Sequence, residues 1–249
     1  MLIFTRKKEL KKIGIVLLLL IYNNCFSQKT VQDQRVWFAY TGQYKVSENW
    51  GCHIEAQFRL DNQLQQNLQN LFRIGSIYYL SKTKTISGGY ALVNTYNASL
   101  AEFYRENRFW EQYQLNEKWN DNKNTIIHRF RLEQRWVEQL ATESNVTNYQ
   151  NRFRYLNRNL FHIANLRSSN EEVYAIVQDE FFLTLGNNVI NSKVIDQNRF
   201  LIGLGLNYNN NTRLELGYMN QFVTSSAGNS VMNHTVLISL LQNLDLQKH

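Results

Sequence analysis

One stretch of the chain, Trp50–Asp61, alternates strictly between apolar and polar side chains over twelve residues. Its even positions carry Trp, Cys, Ile, Ala, Phe and Leu, and its odd positions carry Gly, His, Glu, Gln, Arg and Asp. Successive side chains of a β-strand point to opposite faces, so the pattern predicts a strand with one apolar and one charged face. Strands in soluble sheets usually run about five or six residues, whereas a tilted strand needs about 9–11 to cross a bilayer. The length therefore favours a transmembrane strand.

The same alternation recurs along the chain and predicts ten further strands. They cover residues 34–44, 72–80, 85–96, 104–116, 129–136, 149–161, 172–183, 197–208, 213–222 and 233–244. Two of them deviate from the pattern, since 85–96 is apolar on both faces and Glu111 falls on the apolar face of its strand. The series predicts one all-β domain over residues 28–249.

The connections favour a single antiparallel transmembrane β-barrel. Those after the first, third and ninth strands are short, whereas those after the even-numbered strands are longer and polar. Short turns at one end and longer loops at the other are typical of outer-membrane barrels, and single-chain bacterial barrels have even strand numbers. The eleven periodic segments therefore predict twelve strands, one of them not recognised, with ten as the alternative. A soluble two-sheet sandwich is the alternative fold.

Residues 1–27 have the features of a secretory signal peptide. A basic segment precedes the apolar run 13–22, and small residues stand three before and one before a cut ahead of Gln28. An apolar run of this length is too short to span a bilayer as a helix. The sequence therefore predicts export from the cytoplasm and removal of residues 1–27.

The basic character of the chain comes largely from that segment. The whole chain has a net charge of +7, but residues 1–27 hold five basic residues and one acidic residue, which leaves a net charge of +3 for the remainder. A nucleic-acid partner is therefore not expected. Cys52 is the one cysteine after residue 27, so neither an internal disulfide nor a thiolate metal site is expected.

Several short motifs, in a fixed order, carry a resemblance to a known family. They are Val36-Trp37, Glu106-Asn107-Arg108-Phe109-Trp110, Arg152-Phe153-Arg154-Tyr155, Asp179-Glu180-Phe181-Phe182, Asn198-Arg199-Phe200 and Asn233-His234-Thr235. Together they resemble the uncharacterised outer-membrane barrels of Bacteroidetes-type bacteria, domain-of-unknown-function family 2490. The resemblance implies a barrel fold and the outer membrane of a Gram-negative bacterium. It implies no activity and no catalytic residue.

The charged strand faces predict a network of arginines and carboxylates inside the barrel. The lumen-lining candidates are Arg59, Glu55, Arg73, Arg108, Glu106, Arg129, Arg131, Glu133, Arg135, Arg152, Arg154, Arg199, Arg213 and Glu215, with Arg35, Arg158, Asp33, Asp61 and Glu180 on the same face. Twelve of these residues are arginines and seven are acids, and none is a lysine. Guanidinium groups pair with carboxylates through two parallel hydrogen bonds, which suits a confined space.

Three functions remain open for such an interior. In the first, the network fills a narrow barrel and the protein has a structural or interaction role. In the second, the surplus of five positive charges favours small anionic solutes in a narrow pore. In the third, the same groups line a ligand-binding cavity.

An outer-membrane phospholipase-like hydrolase is a further, weaker alternative. Such an enzyme needs a serine, a histidine and an orienting group on the barrel wall. His128 falls on the lipid-facing side of its strand, and His234 opens the last strand with Ser239 further along, but no paired serine can be identified. His53 and Glu55 share a face, yet two ligands do not make a metal site. No catalytic residue, metal or cofactor is therefore expected.

The tryptophans and tyrosines predict the partners of the outer wall. Trp50, Trp110, Trp119 and Trp136 are expected in aromatic girdles at the two water–lipid boundaries. The expected partner is outer-membrane lipid, and the barrel is expected to be a monomer.

Overall fold

The structure, a computed structural model, describes residues 30–61, 66–140, 146–166, 171–186, 193–209, 211–225 and 230–248. The predicted signal peptide, 1–27, lies outside the described residues and stays a prediction. Eleven strands and a short 3₁₀-helix follow one another. They are β1 (Thr30–Lys45), β2 (Trp50–Asp61), β3 (Gln66–Tyr79), β4 (Lys84–Asn97), β5 (Glu102–Trp119), β6 (Asn124–Gln139), β7 (Val146–Asn165), β8 (Glu172–Leu185), β9 (Ile195–Tyr208), β10 (Thr212–Val223), β11 (Ser230–Asp245) and the helix Leu246–Lys248.

The strands close into one barrel in chain order, and the closing pair is parallel. Every strand pairs antiparallel with its neighbours in sequence, and β1 pairs with β11 in parallel from Thr30↔Ser230 to Lys45↔Asp245. The all-β barrel is therefore confirmed, but the expected strand number of twelve, or ten, is wrong. Each periodic segment of the sequence is a strand. An odd number of up-and-down strands leaves the first and last pointing the same way, so the closure is parallel rather than antiparallel.

The strand directions define two ends of the barrel. We call the end at which β1 begins and β2 joins β3 the amino end, and the end at which β1 joins β2 the turn end. At the turn end, the connection between β5 and β6 places Asn120, Asp121 and Asn122 at positive φ, and Asn209 after β9 does the same. Asn and Asp tolerate this left-handed conformation better than other side chains. They form the turns of a chain without proline.

The alternation of side chains fixes which residues face inward. In β2, Trp50, Ile54 and Phe58 are exposed on the outer wall, whereas His53 and Glu55 are buried inside. The facing of β4, ambiguous in the sequence, has Ala91 and Val93 buried inward and Ile86 and Tyr90 outward. Glu111 indeed lies on the outer wall, where its Oε2 accepts a hydrogen bond from Gln134 Nε2 at 3.1 Å.

The interior has an apolar part and a charged part. A cluster of buried side chains, including Leu160, Tyr174, Ile176, Leu201 and Met219, occupies the part toward the turn end. Gly205 of β9 permits this packing, because a Cβ there would lie 2.2 Å from Tyr174 Cζ. Most of the charged side chains lie between this cluster and the amino end, whereas Arg158 and Glu215 lie beside the cluster.

Candidate functional site

Glu133 of β6 lies at the centre of the charged interior and has no exposed surface. Its Oε2 accepts hydrogen bonds from Arg152 Nη2 at 2.6 Å and Nε at 3.0 Å, and its Oε1 accepts one from Arg154 Nη1 at 2.7 Å. Arg73 of β3 adds a longer bond from Nη2 at 3.4 Å. Since β3 and β6 are not neighbours in the barrel, the bond from Arg73 runs across the interior, whereas Arg152 and Arg154 reach Glu133 from the adjacent strand β7.

Glu180 of β8 forms the second centre of the network. Its Oε1 accepts hydrogen bonds from Arg154 Nη2 at 2.7 Å and from Arg129 Nη2 at 2.7 Å. Arg199 Nη1 lies 3.8 Å from Glu180 Oε2. Arg154 therefore connects the two buried carboxylates, Glu133 and Glu180.

Two further buried carboxylates, Glu55 of β2 and Glu106 of β5, also pair with arginines. Glu55 pairs with Arg73 and accepts a hydrogen bond from Gln57 Nε2 at 2.5 Å. Glu106 accepts from Arg108 Nε at 2.5 Å and Nη2 at 2.9 Å.

Glu106 binds a second arginine from the neighbouring strand. Arg135 of β6 donates to Glu106 through Nε and Nη2, and its Nη1 donates to Gln150 Oε1 at 2.5 Å. Pairing of this kind offsets the large desolvation cost that a buried charge carries.

Some predicted site residues lie outside this centre. Toward the turn end, Glu215 Oε1 accepts hydrogen bonds from Arg158 Nη2 at 2.5 Å and from the Tyr174 hydroxyl at 2.8 Å. Arg213 shares the inner face of β10 with Glu215 but forms no ion pair with the described residues. Arg59 likewise belongs to none of the ion pairs found among them, and it donates to Gln57 Oε1 at 2.6 Å.

Several guanidinium groups inside the barrel form cation–π contacts with buried aromatic rings. The Phe182 ring, with no exposed surface, lies 4.5 Å from Arg154 Cζ and 4.6 Å from Arg199 Cζ. The Trp110 ring lies 5.2 Å from Arg131 Cζ. Such contacts add to the stability of arginines that have left water. Sequence reasoning did not identify these rings as part of the network.

The prediction that Trp110 belongs to an outer aromatic girdle is wrong. Trp110 is 1% exposed inside the barrel, because it alternates with Phe109 on β5 and Phe109 faces outward. Trp50 and Trp119 are 53% and 44% exposed, and Trp136 packs against outward-facing Tyr149 with ring centroids 5.0 Å apart.

A cavity of about 360 Å³ lies between the network and the amino end. Eight arginines and three carboxylates line it: Arg35, Arg59, Arg73, Arg108, Arg135, Arg152, Arg154 and Arg199, with Glu55, Glu106 and Asp196. Asp196, which the sequence reasoning missed, accepts a hydrogen bond from Arg152 Nη1 at 3.4 Å. It stands where the β8–β9 register shifts between Phe182 and Leu183, so alternation alone does not place it.

The histidines of the hydrolase alternative lie on the outer wall, and neither forms a hydrogen bond with a serine among the described residues. His128 Nδ1 lies 2.9 Å from the Tyr155 hydroxyl, and His234 Nε2 lies 2.5 Å from Gln32 Oε1. Ser239 is buried inside the barrel, on the opposite face of β11 from His234. The barrel wall therefore separates His234 from Ser239, in agreement with the absence of a recognisable paired serine in the sequence.

His53 and Glu55 do not form part of a larger ligand set. His53 Nε2 lies 3.4 Å from Glu55 Oε2. In the parts of the chain that the structure describes, no group of three or more His, Cys, Asp or Glu side chains is placed to hold a metal ion. A search of the same parts for a helix of the length and hydrophobicity needed to cross a membrane finds none.

Comparisons with known proteins give one family and one structural neighbour. Residues 34–232 match the model of a family described as "Protein of unknown function (DUF2490)". No curated protein matches the chain. The fold is similar to the crystal structure of the beta domain of the Bordetella autotransporter BrkA, with a TM-score of 0.44 and 10% sequence identity over 76% of this chain and 82% of that chain.

Proposed function

The chain belongs to the DUF2490 family of proteins of unknown function, and from this premise we propose that it is an outer-membrane β-barrel whose interior is closed by its own arginine–carboxylate network. Its role in this proposal is structural or in interactions, not in conduction. Its partner is outer-membrane lipid, and its origin in a Bacteroidetes-type bacterium stays a prediction.

The outer wall supports the membrane location. Large apolar side chains cover outward positions on several strands: Ile74 of β3, Leu204 of β9, and Leu214 and Leu216 of β10 are between 52% and 60% exposed. Soluble monomers rarely expose continuous apolar surfaces larger than a few hundred Å². A lipid environment removes this cost, since the wall then contacts hydrocarbon.

The parallel closure supports a monomer. Each strand has two paired neighbours, because β1 pairs with both β2 and β11. A barrel closed in this way has no free strand edge with which another copy could pair.

The burial of Glu133 is the observation that carries the proposal of a closed interior. Glu133 has no exposed surface, Arg131 is 2% exposed and Trp110 is 1% exposed, although all three point into the barrel. Ion conduction requires a path that water and ions can enter. Water hardly reaches these three side chains, which supports an interior closed at their level.

Recordings from the refolded protein in a planar bilayer test this proposal. Folding is checked first by gel mobility with and without boiling in detergent. We expect a heat-dependent mobility shift and no steady conductance. Anion-selective steps that fall when Arg129, Arg131 and Arg135 are neutralised would instead establish the narrow anion-favouring pore, and the closed interior would be wrong.

Fractionation of the producing bacterium tests the location separately. We expect the protein in the outer-membrane fraction. Recovery in the soluble periplasmic fraction would contradict the membrane proposal whatever the conductance result. A phospholipase assay on the refolded barrel tests the hydrolase alternative, for which we expect no turnover.

A further inference from the structure

We propose that the cavity at the amino end binds a small oxyanion carrying two or more negative charges, through the guanidinium groups of Arg59 and Arg199. The ligand chemistry is that of phosphate or carboxylate groups. The cavity volume of about 360 Å³ lies at the lower end of the range for small-molecule sites, roughly 300–1,000 Å³. This site is independent of the proposed structural role, since it needs only the folded barrel.

The arginines that line the cavity outnumber the carboxylates that can pair with them. Each lining carboxylate already has an arginine partner: Glu55 binds Arg73, Glu106 binds Arg108 and Arg135, and Asp196 binds Arg152. Arg154 binds Glu133 and Glu180 below the cavity, and Arg35 binds Asp33 at 2.8 Å. The remaining lining arginines are Arg59 and Arg199.

Arg59 is positioned by neutral groups and keeps free donors. Its Nη1 donates to Gln69 Oε1 and its Nη2 donates to Gln57 Oε1, while its Nε has no partner among the described residues. Gln69 in turn donates to Thr95 Oγ1 at 2.5 Å, and Gln57 donates to Glu55. A guanidinium has five N–H donors, so several remain for a ligand in a side chain that is already held in place.

Arg199 and Arg59 line the same cavity, and both contact the Trp37 ring, which lines it too. Arg59 Cζ lies 4.0 Å and Arg199 Cζ lies 4.9 Å from the centre of the Trp37 ring. The carboxylate nearest to Arg199 among the ion pairs, Glu180, is 3.8 Å away and already binds Arg154 and Arg129. Neither arginine has a carboxylate of its own within hydrogen-bond distance among the described residues, so an anion in this cavity gains charge-assisted hydrogen bonds and reduces the repulsion between the two positive charges.

Pyrophosphate and citrate are suitable probes, because one carries phosphate groups and the other carboxylates. Titration calorimetry of the full chain, refolded in detergent at constant ionic strength with chloride as the background anion, measures binding of each. We expect saturable binding of at least one probe at about one per barrel. Quenching or enhancement of fluorescence that disappears in Trp37→Phe places the probe beside that ring.

Arg59→Gln and Arg199→Gln are the test variants, and Arg213→Gln is the matched control. Arg213 is an inward-facing arginine that, like Arg59, has no ion pair among the described residues, but it does not line the cavity. We expect either test variant to weaken binding at least about tenfold, the effect of losing one charge-assisted hydrogen bond, and the control to bind like the unmodified protein. The heat-dependent gel shift shows that each variant is folded.

Binding of pyrophosphate alone identifies a phosphate-bearing ligand class, and binding of citrate alone identifies polycarboxylates. Absence of saturable binding by either probe would overturn the proposal. Equal weakening in Arg213→Gln would also overturn it, since the effect then reflects the overall charge of the interior and not this site. Neither result bears on conductance, so the proposal of a closed interior is tested separately by the bilayer recordings.

Discussion

Trp110 occupies the space that Gly75 leaves by having no side chain. A Cβ at Gly75 would lie 2.6 Å from Trp110 Cζ2 and 2.5 Å from the carbonyl oxygen of Gly88. Gly75 faces Gly89 across β3 and β4, so backbone and ring fit together at the level of the charge network. The absence of side chains at Gly75 and Gly89 therefore lets the Trp110 ring pack inside the barrel at this level.

Gly75→Ala should therefore destabilise the barrel. The added methyl group must displace backbone as well as the Trp110 ring, and overpacking of this kind costs about 1–3 kcal/mol. The free energy of unfolding in urea, measured on protein refolded into lipid or detergent, checks this. Gly88→Ala is the control, since the nearest atom to its added Cβ is 3.2 Å away. Equal effects of the two substitutions would contradict the role assigned to Trp110.

Glu133→Gln should be more destabilising than any other single loss of a carboxylate in the network. It leaves the buried guanidinium groups of Arg152 and Arg154 without their shared partner, and breaking a buried ion pair costs about 3–5 kcal/mol. Glu111→Gln makes the same chemical change on the outer wall, where a neutral amide can still bond to Gln134. We expect the control to change the free energy of unfolding little, and a small effect at Glu133 would show that the network does not hold the barrel together.

The effect of placing a charged side chain on the outer wall distinguishes a membrane barrel from a soluble one. Leu204 is 57% exposed in the second half of β9, and Leu204→Arg should lower the stability of the lipid-inserted protein by about 1–4 kcal/mol, with the larger cost nearer the bilayer midplane. The same change in water costs little. Val194→Arg, at a 68% exposed position before β9 begins, is the control. Unchanged folding into liposomes for Leu204→Arg would count against the membrane location.

Cysteine cross-linking tests the parallel closure. In a Cys52→Ala background, Val36→Cys and Val236→Cys place two thiols on directly paired positions of β1 and β11. Neighbouring strands lie about 4.8 Å apart, within the range of Cα separations that a disulfide bridges. We expect rapid cross-linking, seen as a mobility change in a non-reducing gel. Val36→Cys with Leu240→Cys, four positions out of register, is the control, and cross-linking of that pair instead would show that the register is wrong.

The sequence contains the strands and their facing because both depend on local alternation. Trp50–Asp61 is a strand with the predicted ends and the predicted outer face, since period two reads directly as inside and outside. The prediction of an outer girdle position for Trp110 is wrong because it rests on residue type, whereas the alternation with outward-facing Phe109 places Trp110 inside. Asp196 was missed because a register shift interrupts the alternation.

Contacts between side chains on opposite sides of the interior could not be predicted from the sequence, for a different reason. The alternation predicts an inward face for Arg73 and Glu133, but their contact depends on barrel diameter and on strand stagger. The strand number depends on closure as well, and the rule of even numbers does not apply when β1 and β11 run parallel. The side-chain pattern of a strand does not show the direction of its partner.

The direction of β1 and β11 also determines which compartments the chain can reach. In a barrel with an even strand number, the first strand starts and the last strand finishes on the same side of the bilayer. Here Thr30 begins β1 at one rim, and Asp245 finishes β11 at the other. Once inserted in the proposed membrane, the barrel directs whatever precedes Thr30 to one side and whatever follows Asp245 to the other, so a tag attached before β1 and a tag attached after β11 face different solutions.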